Sequence, residues 1–267
     1  MLTLASALLV AQAAIAAAPP PTLEQDRLAL CAEEARRDPP TALVNASGWL
    51  AEAAGPARSA PQHCLGLVYT SLLRWQAAED AFLAAREALP AGAVAARSRL
   101  AAMAGNAALA DGRAEAALTA FTLARSDAEA AGETAQTGLI AADSARALVS
   151  LNRPDEAAAM LGTARRLTPQ DAGVWLLSAT LSRRLDQLDE AQAQIETAAA
   201  LAPADPALGP AIGLEAGLIA ALAGREAAAR ASWQSIVATA SGSPEAAAAR
   251  AYLAQLDVQT TEGAPQP

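Results

Sequence analysis

The sequence predicts an all-α fold built from stacked pairs of helices, and three observations support this prediction. Alanine, the strongest helix former, makes up close to a third of the 267 residues. The alternation of Val, Ile, Thr and Tyr that is typical of β-strands is absent from the sequence. Small residues, bulky residues and prolines also recur at helical spacing along most of the chain.

The charge balance and the rare reactive residues exclude several classes of function. The chain has 28 acidic and 19 basic residues and a net charge of −9, whereas nucleic-acid-binding proteins usually carry a basic stripe. One histidine and two cysteines provide no ligand spacing for a metal. No nucleophile elbow, phosphate loop or HExxH motif occurs. We therefore expect no nucleic-acid partner, no metal, no cofactor and no enzymatic activity.

Residues 1–18 form an apolar run that ends in small residues and precedes Pro19, Pro20 and Pro21. This length and ending are typical of a signal peptide, with cleavage near Ala16 to Ala18. No Lys or Arg precedes the run, so an uncleaved N-terminal anchor stays a second interpretation. We expect a protein exported to the periplasm or, as the alternative, one tethered to the inner membrane, with a membrane contact only if the run is uncleaved.

Residues 23–54 are predicted to form a degenerate N-terminal helix pair. Its helices, Leu23–Arg37 and Thr41–Ala54, are separated by an Asp-Pro-Pro sequence. Proline cannot continue a helix but is accepted in the first turn of the next one. Trp49 and Leu50 provide the apolar face of the second helix, and Gly55 follows its end.

Five segments over residues 59–243 then repeat one helix–turn–helix pattern. In the first, Ser59–Pro90, the small residues Gly66 and Ala78 are expected where two antiparallel helices touch, and Tyr69 and Phe82 are expected to fill the wider gaps. The later units start at Ser98, Gly138, Ala172 and Pro210. The intervals between successive starts are unequal, and the shortest of them runs from Gly138 to Ala172.

This pattern resembles the tetratricopeptide repeat family, whose units pair two helices over about 34 residues. The stretch Ala172–Pro203 shows the spacing through Trp175, Ala191 and its closing proline. The resemblance, to an exported bacterial member, implies a right-handed α-solenoid of five to six units. A capping helix over residues 244–258 and a disordered tail over 259–267 complete the prediction, and the unequal spacing implies an irregular superhelix.

In this family the first helix of each pair lines the concave side, which implies a non-enzymatic scaffold for a peptide or partner protein. The polar residues of that face, by phase, are His63, Thr70, Arg99, Asn106, Arg146, Arg183 and Arg184. The arginines either bind peptide carboxylates through forked hydrogen bonds or pair with neighbouring acids. A membrane-tethered envelope assembly factor and a small-ligand or glycan-binding module remain as alternative functions.

The two cysteines, Cys31 and Cys64, are separated along the chain by almost one repeat. On adjacent first helices they would therefore sit at the same height. In an oxidising compartment a disulfide there would join the N-terminal pair to the first clear unit. The alternative is two small buried thiols.

Overall fold

The computed structural model describes residues 22–262, and this part of the chain forms thirteen α-helices without a β-strand. The all-α prediction is therefore confirmed. Three short 3₁₀ turns, Gly55–Arg58, Ala202–Ala204 and Pro206–Leu208, lie between helices. The helices are α1 (Leu23–Arg37), α2 (Pro39–Glu52), α3 (Ser59–Ser71), α4 (Trp75–Ala88), α5 (Val94–Ala110), α6 (Ala114–Ala131), α7 (Thr134–Ser150), α8 (Pro154–Leu167), α9 (Ala172–Arg184), α10 (Leu188–Leu201), α11 (Gly209–Leu222), α12 (Glu226–Thr239) and α13 (Pro244–Glu262).

The first twelve helices form six consecutive pairs, and α13 packs against α11 and α12. The second helix begins at Pro39, two residues before the predicted start, because its two prolines occupy the first turn and Asp38 accepts a hydrogen bond from the Thr41 amide. The last helix continues to Glu262, so residues 259–262, which were predicted to be disordered, are helical. The predicted signal segment and residues 263–267 lie outside the described residues.

The turn inside each of the last five pairs has one residue in the left-handed region of backbone space. Its φ value lies between 56° and 74°. These residues are Leu73, Gly112, Asn152, Asp186 and Gly224. The intervals between them are the same, in order, as the intervals between the predicted unit starts. The folded units therefore repeat with the unequal spacing that the sequence predicts.

Within a pair, a small residue on the first helix faces a large residue on the second. A Cβ atom placed on Gly105 would lie 2.5 Å from Cε1 of Phe121, so only glycine lets the two helices approach this closely. The same relation holds between Gly66 and Phe82 and between Gly217 and Trp233. Gly66 therefore lies at the contact between the two helices, as predicted, but the residue that it faces is Phe82, which was predicted to fill a wider gap.

A disulfide joins Cys31 on α1 to Cys64 on α3, with their Cα atoms 5.9 Å apart. The predicted disulfide is therefore present in the structure, and neither cysteine is a free thiol there. The bond lies in an apolar cluster that also contains Trp49 and Val68. Between residues 22 and 262, no helix has both the length and the hydrophobicity to cross a membrane.

Candidate functional site

The first helices of successive pairs line one side of the stack, which we call the first-helix face. Helices α5, α7, α9 and α11 contact one another in order along this face, and α1 contacts α3. All seven polar residues predicted for partner binding lie on α3, α5, α7 and α9. Their surroundings differ, and they fall into three groups.

The first group, Arg146 and Arg184, lines a cleft of about 250 Å³ between α7 and α9, which we call the α7–α9 cleft. Thr180 and Ser150 add hydroxyl groups to its wall. Its apolar lining comes from α7, α8 and α9 and includes Val149, Leu161, Leu177 and Leu181. Two guanidinium groups therefore share one cleft with a floor of branched aliphatic side chains.

The two arginines of this cleft keep most of their hydrogen-bonding capacity. Arg184 is exposed and forms no ion pair with any residue in the described part of the chain. Arg146 Nη1 lies 3.3 Å from Asp143 Oδ1, but the Arg146 side chain is 51% exposed. An exposed pair of this kind contributes little to stability, so a second carboxylate can compete for the guanidinium. The cleft can thus hold a carboxylate beside an aliphatic side chain.

The second group, Arg183, Asn106 and Thr70, forms hydrogen bonds or ion pairs within the protein. Arg183 Nε lies 2.5 Å from Glu215 Oε1, and the two side chains are only 19% and 9% exposed. This pair links α9 to α11, and removing one partner would leave a buried charge without a partner. Asn106 donates a hydrogen bond to Asp143 at 3.1 Å, and the Thr70 hydroxyl donates to the Gly66 carbonyl at 2.9 Å.

The third group, His63 and Arg99, lines a second cavity of about 400 Å³ between α1, α3 and α5. Arg99 pairs with Glu133 at 3.4 Å. The His63 ring meets Phe82 edge-on, with centroids 5.9 Å apart. Its Nε2 is buried and has no hydrogen-bond partner within the described residues. Burial, and secondly the charge of Arg99, lower the pKa of His63, which favours the neutral imidazole.

Sequence reasoning missed the aliphatic floor of the α7–α9 cleft. Val149 follows Arg146 by three residues, and Leu177 and Leu181 precede Arg184 by seven and three, so each shares a helix face with an arginine. That spacing was an available signal. The Glu215 partner of Arg183 gave none, because it lies in the next unit of the chain.

Within residues 22–262, no group of three or more His, Cys, Asp or Glu side chains is placed to hold a metal ion. The first-helix face also carries the carboxylates of Asp143 and Glu215 and the imidazole of His63. Its guanidinium, amide and hydroxyl groups can recognise carboxylates and backbone amides.

Comparison with protein-family models matches one part of the chain. Residues 148–212 match the sequence model of a family described as "Tetratricopeptide repeat". This range contains the whole of α8, α9 and α10, and therefore all of the α9 residues that line the α7–α9 cleft. No curated protein matches the sequence.

Solved structures share the fold along most of the chain. PilF of Pseudomonas aeruginosa superposes with a TM-score of 0.64 at 15% identity, covering 86% of this chain and 97% of PilF. The apo form of RapI gives 0.66 at 10%, covering 80% and 83%. TTC0263, a tetratricopeptide protein of Thermus thermophilus, gives 0.56 at 19%, covering 74% and 97%. At these identities the likeness establishes the fold.

Proposed function

We propose that this chain is a non-enzymatic protein–protein interaction scaffold, from its match to a tetratricopeptide repeat model over residues 148–212 and from its likeness in fold to solved structures. The first-helix face is its binding groove. The α7–α9 cleft takes one aliphatic side chain of a partner peptide, and Arg146 and Arg184 take a carboxylate next to it. The observation that carries the proposal is the unpaired, exposed Arg184 beside a preformed apolar cleft in the described part of the chain.

Physical chemistry supports this kind of ligand. An aliphatic side chain that fills the cleft gains about 1.5–3 kcal/mol from burial. A charge-assisted hydrogen bond to a guanidinium adds about 1.5–3 kcal/mol and fixes the register of the peptide. The chain carries a net charge of −9, so an acidic peptide is repelled by most of its surface. Exposed arginines such as Arg184, which lacks an ion pair within residues 22–262, and Arg146, whose pair with Asp143 is exposed, are therefore the places where an acidic segment can dock.

The experiment begins with a random peptide library displayed on phage and selected against the full chain. We expect enrichment of peptides with an acidic residue next to Leu, Ile or Val. For an enriched peptide, the double variant Arg146→Ala/Arg184→Ala should weaken the Kd at least tenfold, which corresponds to about 1.4 kcal/mol, in fluorescence polarisation.

The matched control is Arg166→Ala. Arg166 is an exposed arginine of α8 whose hydrogen bonds to the described residues lie within its own helix, to the Gly162 carbonyl and the Thr163 hydroxyl. Its removal should leave the Kd within about twofold. Arg183→Ala is unsuitable as a probe because it also breaks the buried pair with Glu215. Equal peptide affinity for the double variant and the wild type would contradict the proposed groove.

We propose that the scaffold works in the bacterial envelope. The Cys31–Cys64 bond supports this location, because disulfides persist in oxidising compartments. The apolar residues 1–18 support it as well. Fractionation of the native host tests the proposal: a periplasmic product shortened by about 17 residues is expected. An uncleaved product in the membrane fraction would favour the tethered assembly factor instead, and a full-length cytosolic product would contradict both.

A further inference from the structure

We propose that Cys31 is a site of thiol–disulfide exchange, attacked in the folded protein by a small anionic thiol of the glutathione type. The disulfide joins the first helix to the rest of the solenoid. A cleft that shares no lining residue with the α7–α9 cleft reaches both cysteines. The burial of the two cysteines and the charge of this cleft select Cys31 as the sulfur that is attacked.

The cleft has a volume of about 420 Å³ and lies between α1, α2 and α3. Both cysteines line it, together with Trp49 and Ala46. Cys31 is 8% exposed and Cys64 is 1% exposed, so both are buried and Cys31 is the less deeply buried of the two. Because exchange requires direct contact between the attacking thiolate and a disulfide sulfur, access decides which cysteine forms the mixed disulfide.

The charge of the cleft favours an anion. Arg27 and Arg37 both line it, and Arg27 is held over the Trp49 ring at 4.4 Å from the centroid. Arg37 also pairs with Glu33 at 3.3 Å, but both side chains are exposed, so solvent screens this pair. The acidic residue of the lining, Glu34, accepts a hydrogen bond from Asn45 at 2.9 Å. The attacking species is a thiolate, and nearby guanidinium groups stabilise thiolates. A thiol that also carries carboxylates is attracted more strongly than a neutral one.

The reaction balances without any further oxidant. The thiolate RS⁻ attacks Cys31 Sγ, the Cys31–Cys64 bond breaks, and Cys64 leaves as a thiolate that takes a proton from water. The product is a mixed disulfide between Cys31 and R. A second RS⁻ attacks the R sulfur, which releases RSSR and leaves Cys31 reduced. Two thiols are thus oxidised to one disulfide while the protein disulfide is reduced to two thiols.

The structural consequence falls on α1. Only two of its 15 residues, Cys31 and Ala35, are buried, so little apolar contact remains once the covalent bond is broken. A glutathione group on Cys31 also has to occupy the space between α1 and α2. Exchange should therefore loosen α1 while leaving the later units folded, since each repeat contacts only its neighbours.

The test uses the full, oxidised chain and reduced glutathione under native conditions. We expect the rate of disulfide loss to rise in proportion to glutathione concentration, and peptide mapping by mass spectrometry to place the adduct on Cys31. With Arg27→Gln/Arg37→Gln the glutathione rate should fall at least about threefold, while the rate with neutral 2-mercaptoethanol changes less. Hydrogen exchange should increase in α1 on reduction.

Two results would overturn the proposal. One is a rate that is independent of thiol concentration and equal to the rate of global unfolding, because the bond would then be reached only in the unfolded chain. The other is an adduct on Cys64. Single variants give a second measurement that does not depend on the arginines: with oxidised glutathione, Cys64→Ser should be modified at least about tenfold faster than Cys31→Ser. Equal rates in the two variants would also contradict the assignment.

Discussion

The two ends of the first half of the solenoid are held in different ways. In α5, eight of 17 residues are buried, and Gly105 brings its backbone against the fully buried ring of Phe121. In α1, two of 15 residues are buried, and one of them is the cysteine that bonds to α3. A Cβ atom placed on Gly48, the glycine of the first pair, would have no atom of the described residues outside α2 within 4 Å.

The difference shows what a terminal unit lacks. A central helix is covered by neighbours on both sides, so close packing is sufficient to hold it. A helix at the end of the stack has a neighbour on one side only and buries less apolar surface. Here the disulfide between α1 and α3 has the stabilising role that close packing has in α5 and α6. It stabilises the fold by restricting the conformations of the unfolded chain.

The largest effect is expected where packing alone is responsible. Phe121→Ala removes a fully buried ring and leaves a cavity beside Gly105 that rigid helices cannot fill. The free energy of unfolding should fall by about 3–5 kcal/mol, measured by urea denaturation. Leu123→Ala is the matched control on the same helix, because Leu123 is 38% exposed. If both variants lost the same stability, packing at Gly105 would not be what holds this pair.

A somewhat smaller and more local effect is expected from removal of the Cys31–Cys64 disulfide. Replacing both Cys31 and Cys64 with Ser opens a loop of 33 residues and should cost about 3–4 kcal/mol. Because the main contacts of α1 and α2 are with each other and with α3, hydrogen exchange should rise in α1 and α2 and stay unchanged in α7 and α8. A similar loss of protection in α7 and α8 would show that the bond stabilises the whole stack.

Much of this architecture was predictable because it depends on short-range patterns. The predicted bounds of the first helix, Leu23–Arg37, agree with the structure, since a capping threonine and a following proline mark its ends. The cysteine pair follows from a spacing of about one repeat. The helix bounds depend on residues next to the helix ends, and the cysteine pair depends on a single spacing along the chain.

The distribution of charges on the first-helix face was less predictable. Arg183 and Arg184 are adjacent and were treated alike, yet neighbouring residues on a helix point about 100° apart. Arg183 reaches Glu215 on α11, which is the next first helix, whereas Arg184 remains in solvent at the α7–α9 cleft. Which arginine finds an acid depends on the angle between successive units, and unequal repeats make that angle impossible to obtain from spacing.

The smallest predicted effect is a pH dependence of the free energy of unfolding that comes from His63. This residue lies between α1, α3 and α5 and lines a cavity together with Glu24 and Arg99. Burial, and secondly Arg99, lower the pKa of His63 in the folded state, while the unfolded chain binds the proton near pH 6.5. The contribution of this group to stability is therefore complete above about pH 6.5 and is lost as the pH falls towards the pKa of the folded state.

His63→Phe keeps an aromatic ring against Phe82 and removes the titration. Urea unfolding at pH 7.5 and 5.5 should show that the wild type loses more stability than the variant on acidification. Equal losses would mean that His63 is protonated as readily in the folded chain as in the unfolded one.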